Sequence, residues 1–320
     1  MDSIAGLLDG PRARGAFLLR STVDPPWSIR VQDQAPLTVV ALVRGDAWVL
    51  PDGTTPVRLQ PGDVAILRGP DAYILADQPA TPPQVIVDPG QICRTADGAQ
   101  MHGMSVMGVR SWGNSATGST LLLTGTYHSH SDTSQRLLSA LPPLLVIPGD
   151  TCDNPLLPIL AEEIGRDAPG QEAVLDRLLD LLLIAALRLW FARPEAAAPG
   201  WYRAQSDEVV GPALRLLQNS PATQWTVGTL ADEVGISRAA LARRFHDLVG
   251  EPPMTFLTGW RLSLAADLLR EPGATVSSVA REVGYGSAFA LSAAFKRVRG
   301  ISPQQHRAGP VRSASVLQPV

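Results

Sequence analysis

The chain repeats itself near its end, and that repeat restricts the fold more than any other feature. Thr226-Val227-Gly228-Thr229-Leu230-Ala231-Asp232-Glu233-Val234-Gly235-Ile236 leads into Ser237 to Phe245. Thr275-Val276-Ser277-Ser278-Val279-Ala280-Arg281-Glu282-Val283-Gly284-Tyr285 leads into Ser287 and the residues after it. Thr226 matches Thr275, Ala231 matches Ala280, Glu233-Val234-Gly235 matches Glu282-Val283-Gly284, Leu241 matches Leu291, and Phe245 matches Phe295. The second copy has one extra turn residue, Gly286. Such self-similarity marks one supersecondary unit used twice. Each copy reads as a short helix, a glycine turn and a second helix. In the second copy Ser287 is placed to cap a helix start, and Gly300 to close its end. Between them Leu291, Ala294, Phe295 and Val298 form a stripe at helical spacing, expected to face a core. Lys296, Arg297 and Arg299 make the last turn basic. This is the organisation of a helix-turn-helix unit, whose second helix enters the major groove of DNA.

Between the copies, Pro253 to Arg270 reads as one helix that starts at a proline and stops before Pro272-Gly273. At 1.5 Å per residue, roughly 18 residues span about 27 Å. Successive major-groove entries on one face of a duplex lie about 34 Å apart. A connecting helix of this length can hold two recognition helices about one turn apart.

Residues from about 206 to 307 resemble the DNA-binding domain of AraC-type transcription regulators. The resemblance covers both units, the connecting helix, the Gly284-Tyr285-x-Ser287 turn and the closing Phe295-Lys296-Arg297-x-x-Gly300-Ile301-Ser302-Pro303-x-x-x-Arg307. It implies a sequence-specific regulator that binds double-stranded DNA and, if an activator, meets RNA polymerase. In the first recognition helix Arg238, Ala239, Ala242 and Arg243 fall on the outward face. Arg238 and Arg243 can reach guanine O6 and N7 in bidentate fashion, and by the resemblance Arg243 matches a base-reading position. Ser237 and Arg244 are the expected phosphate contacts of that unit. The second recognition helix departs from the family, which often carries polar or basic residues where this chain has Ala288, Phe289, Ala290 and Ala293. Ala290 and Ala293 can touch thymine methyls. Ser287, Lys296, Arg297 and the helix N-terminal amides are expected to grip phosphates.

Charge divides along the chain. From Trp201 onward there are 13 Lys/Arg against 9 Asp/Glu, a balance of +4, while the remainder has 14 against 21, or −7. An acidic front and a mildly basic back fit a sensor joined to a DNA reader. Met1 to Gly15 lacks the apolar core of a signal peptide, and the run Leu181 to Leu187 is too short to span a bilayer. Two cysteines do not make a disulfide framework. A cytoplasmic protein is expected.

The front half reads as short β runs between turn residues. Leu37–Val43, Asp46–Leu50, Val57–Leu59, Val64–Leu67, Gln84–Val87, Ser105–Val109 and Thr120–Gly125 are the predicted strands. This spacing predicts an antiparallel barrel or sandwich. Gly62-Asp63-Val64-Ala65-Ile66-Leu67 after a polar hairpin resembles the small cupin barrel found ahead of AraC-type readers. The expected class is therefore α+β with two domains. Residues 1–192 form a cupin-like domain of antiparallel barrel plus helices. A linker at 193–205 follows, then an all-α reader at 206–308 and a disordered tail at 309–320. Gln171 to Phe191 is a helix apolar around most of its circumference, so it must be covered. It either lies under the barrel or pairs with its copy in a homodimer.

Three kinds of signal are open to the front domain. His128-Ser129-His130 is the only His-x-His pair, with His102 the one further histidine available. Only Asp132 follows where cupin enzymes have a glutamate, so the set falls short of a metal site, and no cofactor is expected. Cys93 adjoins Arg94, which can favour the thiolate, whereas Cys152 lies beside Asp150 and Asp153. The domain is similar to that of AraC-type regulators that include a reactive-chlorine sensor, which points to oxidation as one signal. Trp48, Tyr73 and Trp112 are candidates to line a lumen for an organic effector. The rival reading is a cupin-like metalloenzyme with a DNA-binding appendage. No nucleophile–base constellation and no phosphate loop is present in the sequence.

Overall fold

The computed structural model describes residues 17–98, 105–108, 110–127, 132–151, 155–193, 196 and 198–308. Thirteen strands come first: β1 (Phe17–Val23), β2 (Ser28–Val31), β3 (Leu37–Arg44), β4 (Ala47–Pro51), β5 (Val57–Leu59), β6 (Val64–Arg68), β7 (Tyr73–Ala76), β8 (Val85–Asp88), β9 (Ile92–Thr95), β10 (Ser105–Gly108), β11 (Ser111–Gly113), β12 (Thr120–Tyr127) and, after the short helix α1 (Gln135–Leu138), β13 (Leu144–Ile147). Then come α2 (Leu156–Glu163), α3 (Gln171–Phe191), α4 (Gly200–Arg203), α5 (Val210–Asn219), α6 (Val227–Glu233), α7 (Arg238–Val249), α8 (Pro253–Leu268), α9 (Val276–Glu282), α10 (Ala288–Arg299) and α11 (Pro303–Ala308). No described helix is long and apolar enough to cross a membrane. Two compact units result, one holding residues 17–127 and 136–198, the other 199–308 with 132–135.

The first unit is two mixed sheets rather than an antiparallel barrel. Strand order is β10-β11-β1-β12-β3-β6-β13 in one and β5-β4-β7-β2-β8-β9 in the other. Most neighbours are antiparallel, but β1 pairs with β11 and β2 with β8 in parallel. Hydrophobic alternation identified many of the strands, but partners far apart in sequence are set by topology. The inner faces share one core in which Val40, Leu42, Leu67 and Leu122 meet Ile29, Val49, Leu59 and Leu75. The α3 helix begins and ends where its sequence pattern does. Leu175, Leu179, Leu182, Leu183 and Leu187 are buried. A Cβ on Gly125 of β12 would stand 2.5 Å from Leu179 Cδ1, so strand backbone and helix touch directly. The Tyr127 hydroxyl donates to Asp180 at 3.3 Å. One face of α3 thus covers the sheet, yet Val174 and Leu181 remain 45% and 49% exposed.

The second unit is all helical. Gly200–Arg203 lies within the stretch read as a linker, and the 3-10 turn Ala204–Ser206 straddles its end at 205. A Cβ on Gly200 would fall 2.4 Å from Leu248 O, so α4 rests on the end of α7. The connecting helix is two residues shorter than its sequence pattern, ending at Leu268. It is buried on several sides: Phe256 meets Phe245 edge to face at 5.9 Å, while Leu262, Ala265 and Ala266 join the core of the second repeat. Val298 corrects the predicted stripe. Leu291, Ala294 and Phe295 are buried, but Val298 is 56% exposed. It lies in the last turn of α10, where Arg299 turns inward instead and pairs with Asp132.

Candidate nucleic-acid interface

Both repeats are built by the same local chemistry. The Thr226 hydroxyl accepts the Thr229 N–H at 3.0 Å, and the Thr229 hydroxyl accepts the Thr226 N–H at 2.9 Å. Thr275 and Ser278 form the equivalent reciprocal pair, both bonds at 3.0 Å. These capping boxes satisfy amides that a helix start leaves unpaired. The Ser237 hydroxyl accepts the Ala240 N–H at 3.3 Å, and the Ser287 hydroxyl the Ala290 N–H at 3.1 Å. Gly250 and Gly300 close the recognition helices with φ of 90° and 75°, a region that favours glycine. The two serines expected at phosphates are therefore N-caps, each with its O–H left to donate.

On α7, Leu241 and Phe245 are fully buried. Arg238, Ala239 and Arg243 are exposed and Ala242 is half-buried, so one face presents two guanidinium groups between small side chains. Arg244 differs from expectation. Its Nε and Nη2 donate to Asp207 Oδ2 at 3.1 and 2.8 Å, which commits it to a structural pair. Asp207 Oδ1 also accepts the Val209 and Val210 amides, at 3.0 and 2.8 Å, serving the start of α5. Burial works against the Asp207 charge, but the Val210 amide, the Arg244 guanidinium and the Val209 amide hold its carboxyl below the ordinary 3.8. A folded-state pKa below the unfolded one adds stability that is present above pH 3.8 and vanishes as pH falls through the folded value. Asp207→Ala should therefore cost about 1–2 kcal/mol at pH 7. The gap between thermal melts of parent and variant should begin to close below pH 3.8 and vanish once pH has fallen past the folded value; a gap that stays constant as pH falls would assign the loss to packing.

On α10 the outward face carries Phe289, 84% exposed, with Ala290, Ala293, Lys296 and Arg297 also exposed. The bases and phosphates expected of this helix thus have accessible partners, apolar toward the N-terminus and cationic toward the C-terminus. Arg299 is not among them. Its guanidinium lies over the Phe295 ring at 5.2 Å and pairs with Asp132. Asp132 also meets Arg270 at 2.9 Å, while Asp267 accepts the Asp132 and Thr133 amides at 2.7 and 3.1 Å. Residues 132–135 therefore belong to this unit, and Asp132 is held by Arg270 and Arg299 here.

Sequence patterning missed the tie between the two repeats. Arg261 on α8 donates through Nε to Pro221 O at 2.7 Å and through Nη2 to Thr223 O at 2.8 Å. The same guanidinium lies 6.0 Å from the Tyr285 ring centre. Gln224 donates to Gly284 O at 3.0 Å. The loop that leads into the first repeat is thereby fastened to the turn of the second. The only foretaste in the sequence is an arginine inside an otherwise apolar helix.

In the other unit, Tyr73, Trp112 and Cys93 line one cavity of about 360 Å³ between the two sheets, whereas Trp48 does not. Arg94 does not serve the Cys93 thiol: its Nε bonds Asp88 Oδ2 at 2.6 Å. Desolvation of the sulfur, and then the Asp88 carboxylate, push the Cys93 pKa up. Cys152, His102, His128 and His130, like the tail at 309–320, lie outside the described residues. Among the described residues no three His, Cys, Asp or Glu side chains are grouped to hold a metal.

The cupin family matches residues 2–192, and a helix-turn-helix domain family matches residues 230–309. A putative AraC-like transcription regulator of Streptomyces lividans is 33% identical over 97% of this chain and 99% of its own length. The RCS-specific activator RclR of Escherichia coli (strain K12) is 28% identical over 47% of this chain and 53% of its own length. The crystal structure of the AdpA DNA-binding domain in complex with a target DNA covers 32% of this chain and 92% of its own, at 34% identity and a TM-score of 0.30. Two capped helix-turn-helix units behind a sheet-rich domain, with a relative alike from end to end, place the chain in the AraC-type transcription regulators, as a DNA-binding protein with a cupin-like domain in front.

Proposed function

We propose that the front domain senses a small molecule and that the reader divides its labour, the first unit choosing bases and the second gripping phosphates. The observation that carries the division is the contrast between the recognition helices. The α7 face presents Arg238 and Arg243 beside Ala239 and Ala242, while α10 presents Phe289, Ala290 and Ala293 ahead of Lys296 and Arg297. Arginine forks distinguish guanine from the other bases, whereas a lysine near phosphate adds affinity without information. Arg243→Ala should cost about 1–3 kcal/mol on the preferred site and relax the choice at one position. Lys296→Ala should weaken binding to every sequence alike and lower the salt slope by about 1. Competition binding on a randomised duplex pool at two salt concentrations separates them, and equal loss on all sequences for Arg243→Ala would sink its base-reading role.

A bound molecule is favoured over thiol oxidation as the signal because the Cys93 pKa is raised and Arg94 is engaged elsewhere. The exposed Val174 and Leu181 on α3 support a homodimer through that helix, acting in the cytoplasm and, if it activates, meeting RNA polymerase. Footprinting on the DNA flanking the gene tests the whole scheme. The expected result is protection of about two helical turns per protomer, unchanged by mild oxidation and by Cys93→Ser. Protection that responds to oxidant in the parent but not in Cys93→Ser would replace the small-molecule reading with the redox one.

A further inference from the structure

The second recognition helix carries a large side chain for which its phosphate grip has no use. Phe289 is 84% exposed, more than Ile92, Ile159, Leu181 or Val298. A single exposed apolar residue needs no explanation by itself, but this one has a defined place. Leu241 and Phe245 are fully buried, and so are Leu291 and Phe295, so the two recognition helices sit on their cores in the same register. Their N-caps, Ser237 and Ser287, stand at the same distance ahead of those anchors. In this register Ala288 replaces Arg238, Phe289 replaces Ala239 and Ala293 replaces Arg243. Ala239 is itself exposed, on the face of α7 that presents the two guanidinium groups. Where the first helix is cationic the second is small, and where the first is small the second is aromatic.

Helix geometry turns the ring away from the core. At roughly 100° per residue, Leu291 lies about 200° round α10 from Phe289, while Ala293 and Lys296 return to within about 40° of it. Ala290 and Ala293 beside it are exposed and too short to screen it. Phe289 is in the first turn, and Lys296 and Arg297 are in the last. The N-terminal residues of a recognition helix are the ones that meet base edges. The chemistry of the ring then selects its target. It can neither donate to a base nor accept from one. Against the donors and acceptors of guanine, adenine or cytosine it would displace water without replacing the bonds. The apolar group that the major groove displays is the thymine C5-methyl. We infer that Phe289 reads a thymine methyl in the half of the site bound by the second unit. The inference rests on the DNA reading proposed above and gives the second unit one base preference beyond its phosphate grip.

The test uses the full chain and the duplex it enriches from a randomised pool. Each thymine is replaced singly by deoxyuridine, which deletes the C5-methyl and keeps every hydrogen-bonding group. One replacement, outside the positions that Arg243→Ala relaxes, should weaken binding about fourfold, the effect of withdrawing one buried methyl-sized group. Phe289→Ala should bind the thymine duplex at least about fourfold more weakly and no longer distinguish it from the deoxyuridine duplex. At the same position the parent should prefer 5-methylcytosine to cytosine by a similar factor, because the ring senses the methyl alone, and Phe289→Ala should bind both alike. The Tm and salt slope of Phe289→Ala should match the parent, which separates the loss from misfolding and from a lost phosphate contact. Binding by Phe289→Ala at full strength, or a loss that is equal on thymine and deoxyuridine duplexes at every position, would overturn the inference and leave the ring to a protein partner. Failure to enrich any sequence from the pool would overturn the base-choosing reading proposed above, and this inference with it. Enrichment with no thymine that depends on Phe289 would overturn this inference alone.

Discussion

Phe295→Ala should destabilise the reader by about 3–5 kcal/mol, the range for truncating a fully buried aromatic residue. Phe295 has 0% exposure and sits among Leu262, Ala266, Leu269, Val279 and Leu291, with His306 edge-on at 5.3 Å. Its removal empties the centre of the second repeat, and the Arg299 guanidinium loses the ring beneath it. Against a total domain stability of about 5–15 kcal/mol, the loss is a large fraction. Hydrogen exchange on the full chain should show protection falling in α9 and α10 before α6 and α7. Val298→Ala, three residues away on an exposed position, should change stability by no more than about 0.5 kcal/mol. Similar losses from both variants would restore the four-residue stripe read from sequence and contradict the packing seen here.

Gly284→Ala should be far more damaging than Gly235→Ala, although the two glycines occupy the same place in the repeat. Both have left-handed backbone, with φ of 86° and 72°. An alanine at either costs about 1–2 kcal/mol for conformation. At Gly235 nothing lies within 4 Å of the new Cβ. At Gly284 the Cβ would stand 2.7 Å from Ala222 Cα and 2.8 Å from the Pro221 and Ala222 carbonyl oxygens. Those atoms are backbone and cannot swing aside, so overpacking adds about 1–3 kcal/mol. Urea unfolding of the two variants checks the ranking. Equal losses would mean that the turn of the second repeat is not seated on the loop before the first.

That asymmetry also shows what the sequence could convey. Ser287 acts within one turn of itself, so its cap, the repeat and the recognition helices were legible, whereas Thr226 and Thr275 were read only as matching positions and Ser237 only as a phosphate contact, and their capping bonds emerged from the structure. The α3 helix was legible too, because 21 residues of one pattern outweigh local ambiguity. What was lost depends on residues brought together from far apart. Asp207 takes Arg244 from across 37 residues, and Asp132 takes Arg299 from across 167. No periodicity reports such meetings. The short strands β2, β7, β9 and β11 escaped for a related reason: three or four residues carry too little alternation to stand out. The family resemblance supplied the expected DNA-facing positions, but it could not say that Arg244 pairs with Asp207.

Arg261, Gln224 and the core shared along α8 make the two readers a single rigid ruler. If both units contact one duplex as proposed, inserting one base pair between their contacts would turn the second half by about 35° about the duplex axis, against the bonds that Arg261 and Gln224 make between loop and turn. On that reading the distance between the half-contacts is as much a part of the recognised sequence as any base. A genomic search for its targets would then treat both halves as one ungapped word.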